Sequence, residues 1–120
     1  MDQEKFIKLI KKAVEQPAID GVISNLRHPP GRQPKQSLVE LSTWFNKQND
    51  DDKKKITNIV KTAVNHSIFG FLCILDGVSS IKEANSDFDP ILKLTYTDSV
   101  SEIVLNDPNE EFLHDIYQSL

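Results

Sequence analysis

Residues 50–76 have the sequence DDDKKKITNIVKTAVNHSIFGFLCILD, the longest stretch of the chain with apolar side chains at helical spacing. This spacing predicts a central helix. Asn49 or Asp50 is expected to cap its N-terminus, because a short polar side chain accepts a hydrogen bond from the free N–H groups of the first turn. Residues 68–75 contain almost no polar side chain, so this half is expected to be buried nearly all round.

Two glycines punctuate this helix. Gly70 lies inside it, where glycine is about 1 kcal/mol less favourable than alanine, so we expect another element to approach closely there. Gly77 follows Asp76, and it is expected to end the helix in the left-handed conformation.

Length and composition limit the class of protein. A chain of 120 residues fits one domain, predicted over residues 1–120, and it can build a core without disulfides. Its single cysteine allows no internal disulfide and no cysteine-based zinc site, and no signal peptide opens the chain, so we predict a cytoplasmic protein. The apolar run of the central helix is shorter than the roughly 20 residues that a bilayer requires, so no membrane association is predicted.

The net charge of −4 argues against a general nucleic-acid binder, which usually presents a basic face. It suits a basic protein partner through long-range attraction, although mild acidity also serves solubility.

The first part of the chain predicts two helices and a stiff loop. Residues 2–15 form an amphipathic helix whose apolar stripe fits a core-packing face better than a membrane. Pro17 is expected to interrupt this helix and to start a short second one over residues 17–25. Residues 27–34, RHPPGRQP, contain three prolines and a glycine, which exclude regular structure.

This loop contains both arginines of the chain, Arg27 and Arg32, with His28 between them. A guanidinium is a planar fork that binds carboxylate or phosphate through two hydrogen bonds, which lysine cannot do. The three side chains are therefore candidate ligands for an anion or a partner. The alternative is that each arginine fixes the loop by binding backbone carbonyls or an acidic side chain.

Residues 35–48 predict a third helix that carries Trp44, the only tryptophan. We expect Trp44 to anchor a core or a groove, and to be an interface candidate if it is exposed.

The last third predicts a hairpin and a helix. Residues 91–96 and 102–105 alternate between apolar and polar side chains, as half-buried strands do, with a turn at residues 97–99. Asp107 as N-cap with Pro108 at the first helical position predicts a C-terminal helix that begins there. The fold class is therefore α+β: a mostly helical domain of about five helices with an antiparallel hairpin before the last helix.

No arrangement of side chains typical of a known chemistry is visible. Cys73 and His66 are seven residues apart on one helix, about 10 Å along its axis, whereas direct proton transfer needs about 3 Å. Cys73 is expected in the core, and Asp76 in a turn. Glu111 and His114 have the spacing of one half of a di-iron motif, but a solvated helix face explains the pair. No metal, cofactor or catalytic residue is predicted.

Four segments, taken in order, resemble a group of small bacterial cytosolic proteins that includes proteins placed like the immunity partners of secreted polymorphic toxins. These are LRHPPGR at residues 26–32, LSTWF at 41–45, HSIFGFLCILDG at 66–77, and LND followed by EFLHDIY between residues 105 and 117. The resemblance covers most of the chain. It implies tight binding that covers a toxin's active site, and it supplies no catalytic residue.

Three hypotheses follow. The first is a non-enzymatic protein-binding module, most concretely an immunity-type inhibitor of a toxin domain. The second is a small-anion or metabolite binder that uses Arg27 and Arg32, with His28 nearby. The third is an enzyme whose catalytic groups are brought together by the fold. Its candidate residues are His66, Asp76, His114 and Asp115.

Overall fold

The chain forms α-helices, one π-helical segment and a two-stranded antiparallel sheet, described over residues 1–120 in a computed structural model. In chain order the elements are α1 (Gln3–Ile10), the π-helical segment (Lys11–Glu15), α2 (Gln16–Arg27), α3 (Gln36–Asn46), α4 (Asp50–Leu75), β1 (Thr95–Thr97), β2 (Glu102–Val104) and α5 (Leu113–Ser119). The α+β class and the hairpin before the C-terminal helix are confirmed. Because α1, the π-helical segment and α2 follow one another without a gap, the chain has four helices where about five were expected.

Pro17 does not interrupt the first helix. It lies in the first turn of α2, directly after the π-helical segment Lys11–Glu15. A proline lacks the N–H that an α-helix needs, and its ring clashes with the carbonyl four residues earlier, here that of Ala13. Ala13 lies in the π-helical segment, whose backbone hydrogen bonds have a wider spacing than those of an α-helix. This wider turn lets the helix continue past the proline.

The residues group into two compact units. Unit 1 contains Met1–Lys12 and His66–Leu120, and unit 2 contains Ala13–Asn65. In unit 1, α1 packs against α5, and a buried apolar cluster lies between these helices and the second half of α4. The buried members of this cluster are Ile7, Leu72, Leu113, Ile116 and Tyr117.

In unit 2, α2 packs against α3. Phe45 is fully buried, and Ile19 and Ile23 present the buried face of α2. Asn46 donates a hydrogen bond of 3.1 Å to the carbonyl of Arg27, which fixes the end of α2 against α3.

Both ends of α4 are as expected. The N–H of Asp52 donates to the side chain of Asn49 at 2.8 Å, and Gly77 has a φ of +77°, the left-handed conformation.

The expected all-round burial of residues 68–75 is wrong, because Phe71 is 61% exposed and only one stripe of the helix packs in the core. By length and composition alone, α4 is long and apolar enough to cross a membrane, so the expectation that its apolar run is too short for a bilayer is wrong. The core helix of a soluble protein can share this property.

The close approach expected at Gly70 is wrong as well. A Cβ atom placed on Gly70 meets nothing within 4 Å. We therefore expect Gly70→Ala to raise the free energy of unfolding by about 1 kcal/mol, because alanine is the better helix former and fits here without strain. Urea unfolding followed by circular dichroism measures the change. Gly77→Ala is the matched control, and we expect it to be destabilising, since a positive φ disfavours a side chain. A loss of stability in Gly70→Ala would contradict this description of the helix.

The hairpin is shorter than predicted. β1 pairs with β2 so that Tyr96 lies opposite Ile103, and both side chains are half-buried. The turn is held by Asp98, whose carboxylate accepts hydrogen bonds from the N–H groups of Val100 and Ser101. These bonds lower the pKa of the Asp98 carboxyl below its usual value.

The C-terminal helix begins at Leu113, not at Asp107 as predicted. The side chain of Asp107 accepts a hydrogen bond from the N–H of Asn109, and its carbonyl accepts one from Glu110, so this segment closes a turn. The local signal for a helix start is therefore used by a turn, because a short polar side chain bonds backbone N–H groups equally well in both structures.

Candidate functional site

The predicted site residues lie in unit 2, and the structure brings only two of them together. Arg27 is in the last turn of α2, and His28 follows as its C-terminal cap. Both line an open pocket of about 540 Å³ that also includes Asp20. Arg32 is exposed in the loop and does not line this pocket.

Trp44 is 54% exposed on α3, and Leu41, three residues earlier on the same helix, is also 54% exposed. Residues three apart on a helix are neighbours, so the two side chains form a small apolar surface. Trp44 does not line the pocket of Arg27 and His28. Its exposure makes it an interface candidate rather than a core anchor.

A second candidate site lies in unit 1, where a buried carboxylate joins α4 to α5. The Asp76 side chain is 1% exposed. Its two oxygens accept hydrogen bonds from the backbone N–H groups of Leu113 at 3.1 Å and His114 at 2.9 Å. Asp76 therefore caps the N-terminus of α5 from a distance of 37 residues along the chain.

The imidazole of His114 completes this cluster. Its Nδ1 lies 2.6 Å from Asp76, and its Nε2 lies 3.3 Å from the carboxylate of the neighbouring Asp115. Phe112 stacks on the ring and Phe69 meets it edge-on, and the histidine side chain is 12% exposed. The two phenylalanine rings therefore pack against the imidazole, and each of its nitrogens lies close to a carboxylate.

Three of the four residues named in the enzyme hypothesis are brought together by the fold, because His114 lies within 3.3 Å of carboxylate oxygens of both Asp76 and Asp115. The geometry nevertheless favours a structural role over catalysis. A general base needs a free nitrogen within about 3 Å of the proton that it removes. Both nitrogens of His114 face carboxylates, and His66 is exposed on α4. No group of three or more His, Cys, Asp or Glu side chains is arranged to hold a metal ion. The expectation that His114 lies on a solvated helix face is wrong, because Asp76 and two phenylalanines surround it.

Cys73 is buried on α4, as predicted. Burial, and then the negative charges of Asp76 and Asp115, raise the pKa of its thiol, since each disfavours the thiolate. We expect slow alkylation by iodoacetamide at neutral pH and an increase only above the pH at which an ordinary cysteine reacts, because the thiolate is the nucleophile. Mass spectrometry of the native chain from pH 6 to 10 measures the rate, with the urea-unfolded chain as control. Rapid modification of the native chain at pH 7 would contradict this result.

An open groove of about 580 Å³ lies beside this cluster, between the end of α4 and the segment that precedes β1. Asn106, which is 8% exposed, lines the floor of this groove. The Asn106 amide donates to the carbonyls of Leu75 at 2.6 Å and Leu92 at 2.8 Å, and its oxygen accepts from the N–H of Leu94 at 2.8 Å. One side chain thus joins the end of α4, the segment before β1 and the end of β2.

Neither Asp76 nor Asn106 was identified from the sequence as a connecting residue. The position of Asp76 does contain a signal, because a carboxylate at the C-terminus of a helix is repelled by the helix dipole and needs a compensating donor. Asn106 has no such signal, since three backbone partners far apart in sequence define its role.

No protein-family model, no curated protein and no solved structure matches this chain. Its function is therefore inferred from the chemistry of its surface.

Proposed function

We propose that this chain is a non-enzymatic, cytoplasmic protein-binding module, most concretely an immunity-type inhibitor that binds and neutralises a cognate toxin domain. One observation carries the proposal: residues 76–115 combine a strong negative charge with large apolar side chains that are exposed. Such a surface suits a partner that is basic and apolar.

The negative charge of the chain is concentrated in unit 1. Residues 76–115 contain ten acidic and two basic side chains, a net formal charge of −8. Unit 1 as a whole contains twelve acidic and six basic side chains, a net formal charge of −6, whereas unit 2 contains six acidic and eight basic side chains, a net formal charge of +2. A partner with a basic surface is therefore attracted to unit 1 and oriented toward it before contact.

The same part of the chain presents apolar anchors. Between residues 77 and 101, five large apolar side chains are more than half exposed. They are Val78, Ile81, Phe88, Ile91 and Val100. Ile81 and Phe88 do not pack onto the core, since they are 52% and 74% exposed. Large apolar side chains that are exposed suit an interaction surface, because burial against a partner removes them from water.

Affinity capture from the native cells tests the proposal, with the retained proteins identified by mass spectrometry. The expected result is one stoichiometric partner whose retention falls as salt rises, because salt screens the attraction. A triple variant, Glu83→Gln with Asp87→Asn and Glu110→Gln, is expected to retain less partner. A matched variant in unit 2, Asp20→Asn with Glu40→Gln and Asp51→Asn, makes the same change in charge and is expected to retain as much as the wild type. Equal losses in both variants, or no partner, would count against the proposal.

A second candidate function is the binding of a small anion at Arg27 and His28. It is favoured by the pocket that both residues line, and it is opposed by the carboxylate of Asp20 in the same lining. Thermal unfolding with inorganic phosphate tests it. For an anion site, phosphate stabilises the wild type and Arg32→Ala but not Arg27→Ala, since Arg32 lies outside the pocket. Equal effects of phosphate on all three proteins would exclude the site.

A further inference from the structure

We propose that the groove of unit 1 binds a short, positively charged segment of a partner protein, with one apolar side chain of that segment inserted between the groove walls. This inference rests on the proposed function and specifies its interaction surface.

Four exposed apolar side chains line the groove. Val78 and Ile81 follow the end of α4, and Ile91 and Leu92 precede β1. All four side chains are exposed, from 37% for Leu92 to 87% for Ile91. A volume of about 580 Å³ is within the range of pockets that enclose a small ligand, so it can accept one or two side chains of an occupant. Burial of these side chains supplies the non-directional part of the binding.

The floor of the groove is already ordered before binding. Asn106 connects Leu75, Leu92 and Leu94 through three hydrogen bonds. Asp76 lies at the end of α4 with both oxygens bonded to α5. An occupant therefore does not have to order this part of the site, which reduces the entropy lost on association.

The charges near the groove determine whether the bound segment is positively or negatively charged. Two acidic side chains line the groove, Asp76 and Asp89, but the carboxylate of Asp76 is buried and bonded to α5 and His114, so Asp89 supplies the exposed charge. Asp89 is 85% exposed and lies 3.8 Å from Lys82, an exposed pair that contributes little. The surrounding residues 76–115 carry the net charge of −8. Lysine or arginine side chains that flank the apolar anchor therefore match this surface, whereas an anionic segment is repelled.

Titration of the ¹⁵N-labelled full-length chain with a defined peptide, followed by ¹H–¹⁵N correlation spectra, tests the inference. The probe is a peptide of sequence Lys-Arg-Leu-Phe-Leu-Arg-Lys, and the control is Glu-Asp-Leu-Phe-Leu-Asp-Glu, which has the same apolar centre. The expected result is a set of saturable shifts at residues 76–81, 89, 91, 92 and 106 with the basic peptide only, and a weaker affinity at higher salt.

Two variants with the same type of substitution distinguish binding in the groove from binding elsewhere on the surface. Ile91→Asp places a carboxylate on the groove wall, and Val100→Asp places one at a side chain that is 92% exposed and outside the lining. We expect Ile91→Asp to weaken binding of the basic peptide at least tenfold, because the apolar contact is lost and desolvation of the new carboxylate outweighs its attraction for the peptide. We expect Val100→Asp to leave binding unchanged. No saturable binding, equal binding of both peptides, or equal effects of the two variants would overturn the inference. Any of these results leaves the capture experiment unaffected, so a partner that is captured while the peptide fails would use another surface.

Discussion

Replacing Asp76 with alanine is expected to lower the free energy of unfolding by about 2–4 kcal/mol. Loss of a helix cap accounts for about 0.5–2 kcal/mol of this, and loss of a hydrogen bond to a buried charged group for about 1.5–3 kcal/mol. The substitution also removes an unfavourable carboxylate from the C-terminus of α4, which offsets about 0.3–1 kcal/mol. The two losses together exceed this offset, because Asp76 is 1% exposed and accepts hydrogen bonds from two N–H groups of α5. Urea unfolding followed by circular dichroism measures the difference.

Two further variants isolate this effect. Asp76→Asn retains one acceptor oxygen at the start of α5, so we expect a smaller loss than for alanine. Asp115→Ala removes a carboxylate that also contacts His114 but is 58% exposed, and we expect a change within about 0.5 kcal/mol. Faster hydrogen exchange at the amides of α5 in Asp76→Ala would locate the loss there. If Asp76→Ala were as stable as Asp115→Ala, the role of Asp76 in joining α4 to α5 would be wrong.

Asn106→Ala is the second substitution with a large expected effect, again a loss of about 2–4 kcal/mol in the free energy of unfolding. Each of its three hydrogen bonds contributes about 1 kcal/mol net, and partners left unsatisfied in a buried site add to the loss. The groove is open on one side, so water can reach some of these partners and limit the loss. Thermal and urea unfolding measure it.

The Asn106→Asp variant distinguishes hydrogen bonding from packing, because its side chain has nearly the same size. One carboxylate oxygen can still accept from Leu94, but the other faces the carbonyls of Leu75 and Leu92 without a proton to donate. We expect this variant to be at least as unstable as Asn106→Ala at pH 7. Its folded state is expected to bind a proton more readily than its unfolded state, so it should recover stability as the pH falls. Wild-type stability at pH 7 would show that the three bonds contribute little.

The fold was predictable from the sequence where local chemistry decides it. The cap at Asn49, the left-handed Gly77 and the alternating strands follow from the preferences of single residues and their neighbours. The errors occur where the same local sequence signal is compatible with two different structures. Pro17 was expected to end a helix, but a π-helical segment accommodates it, and Asp107 was expected to start a helix, but it closes a turn.

The candidate sites were less predictable, because their chemistry depends on contacts distant in sequence. Arg27, His28 and Arg32 were predicted together because one loop was expected to carry them, but only Arg27 and His28 line the pocket. The burial of Asp76 and Asn106 requires partners from 12 to 38 residues away, and no spacing in the sequence specifies these. Trp44 was expected to anchor a core or a groove, but it is 54% exposed. An aromatic residue on a helix suits both a core and an interface.

Growth protection tests the central claim most directly. The protein captured by the tagged chain is expressed in host cells alone, with the wild-type chain, with Ile91→Asp and with Val100→Asp. The proposed immunity function predicts that the captured protein stops growth when expressed alone. The wild type and Val100→Asp are expected to restore growth, and Ile91→Asp is expected to fail. A captured protein that does not affect growth, or whose toxicity the wild-type chain does not relieve, would contradict the claim that this chain neutralises a toxin.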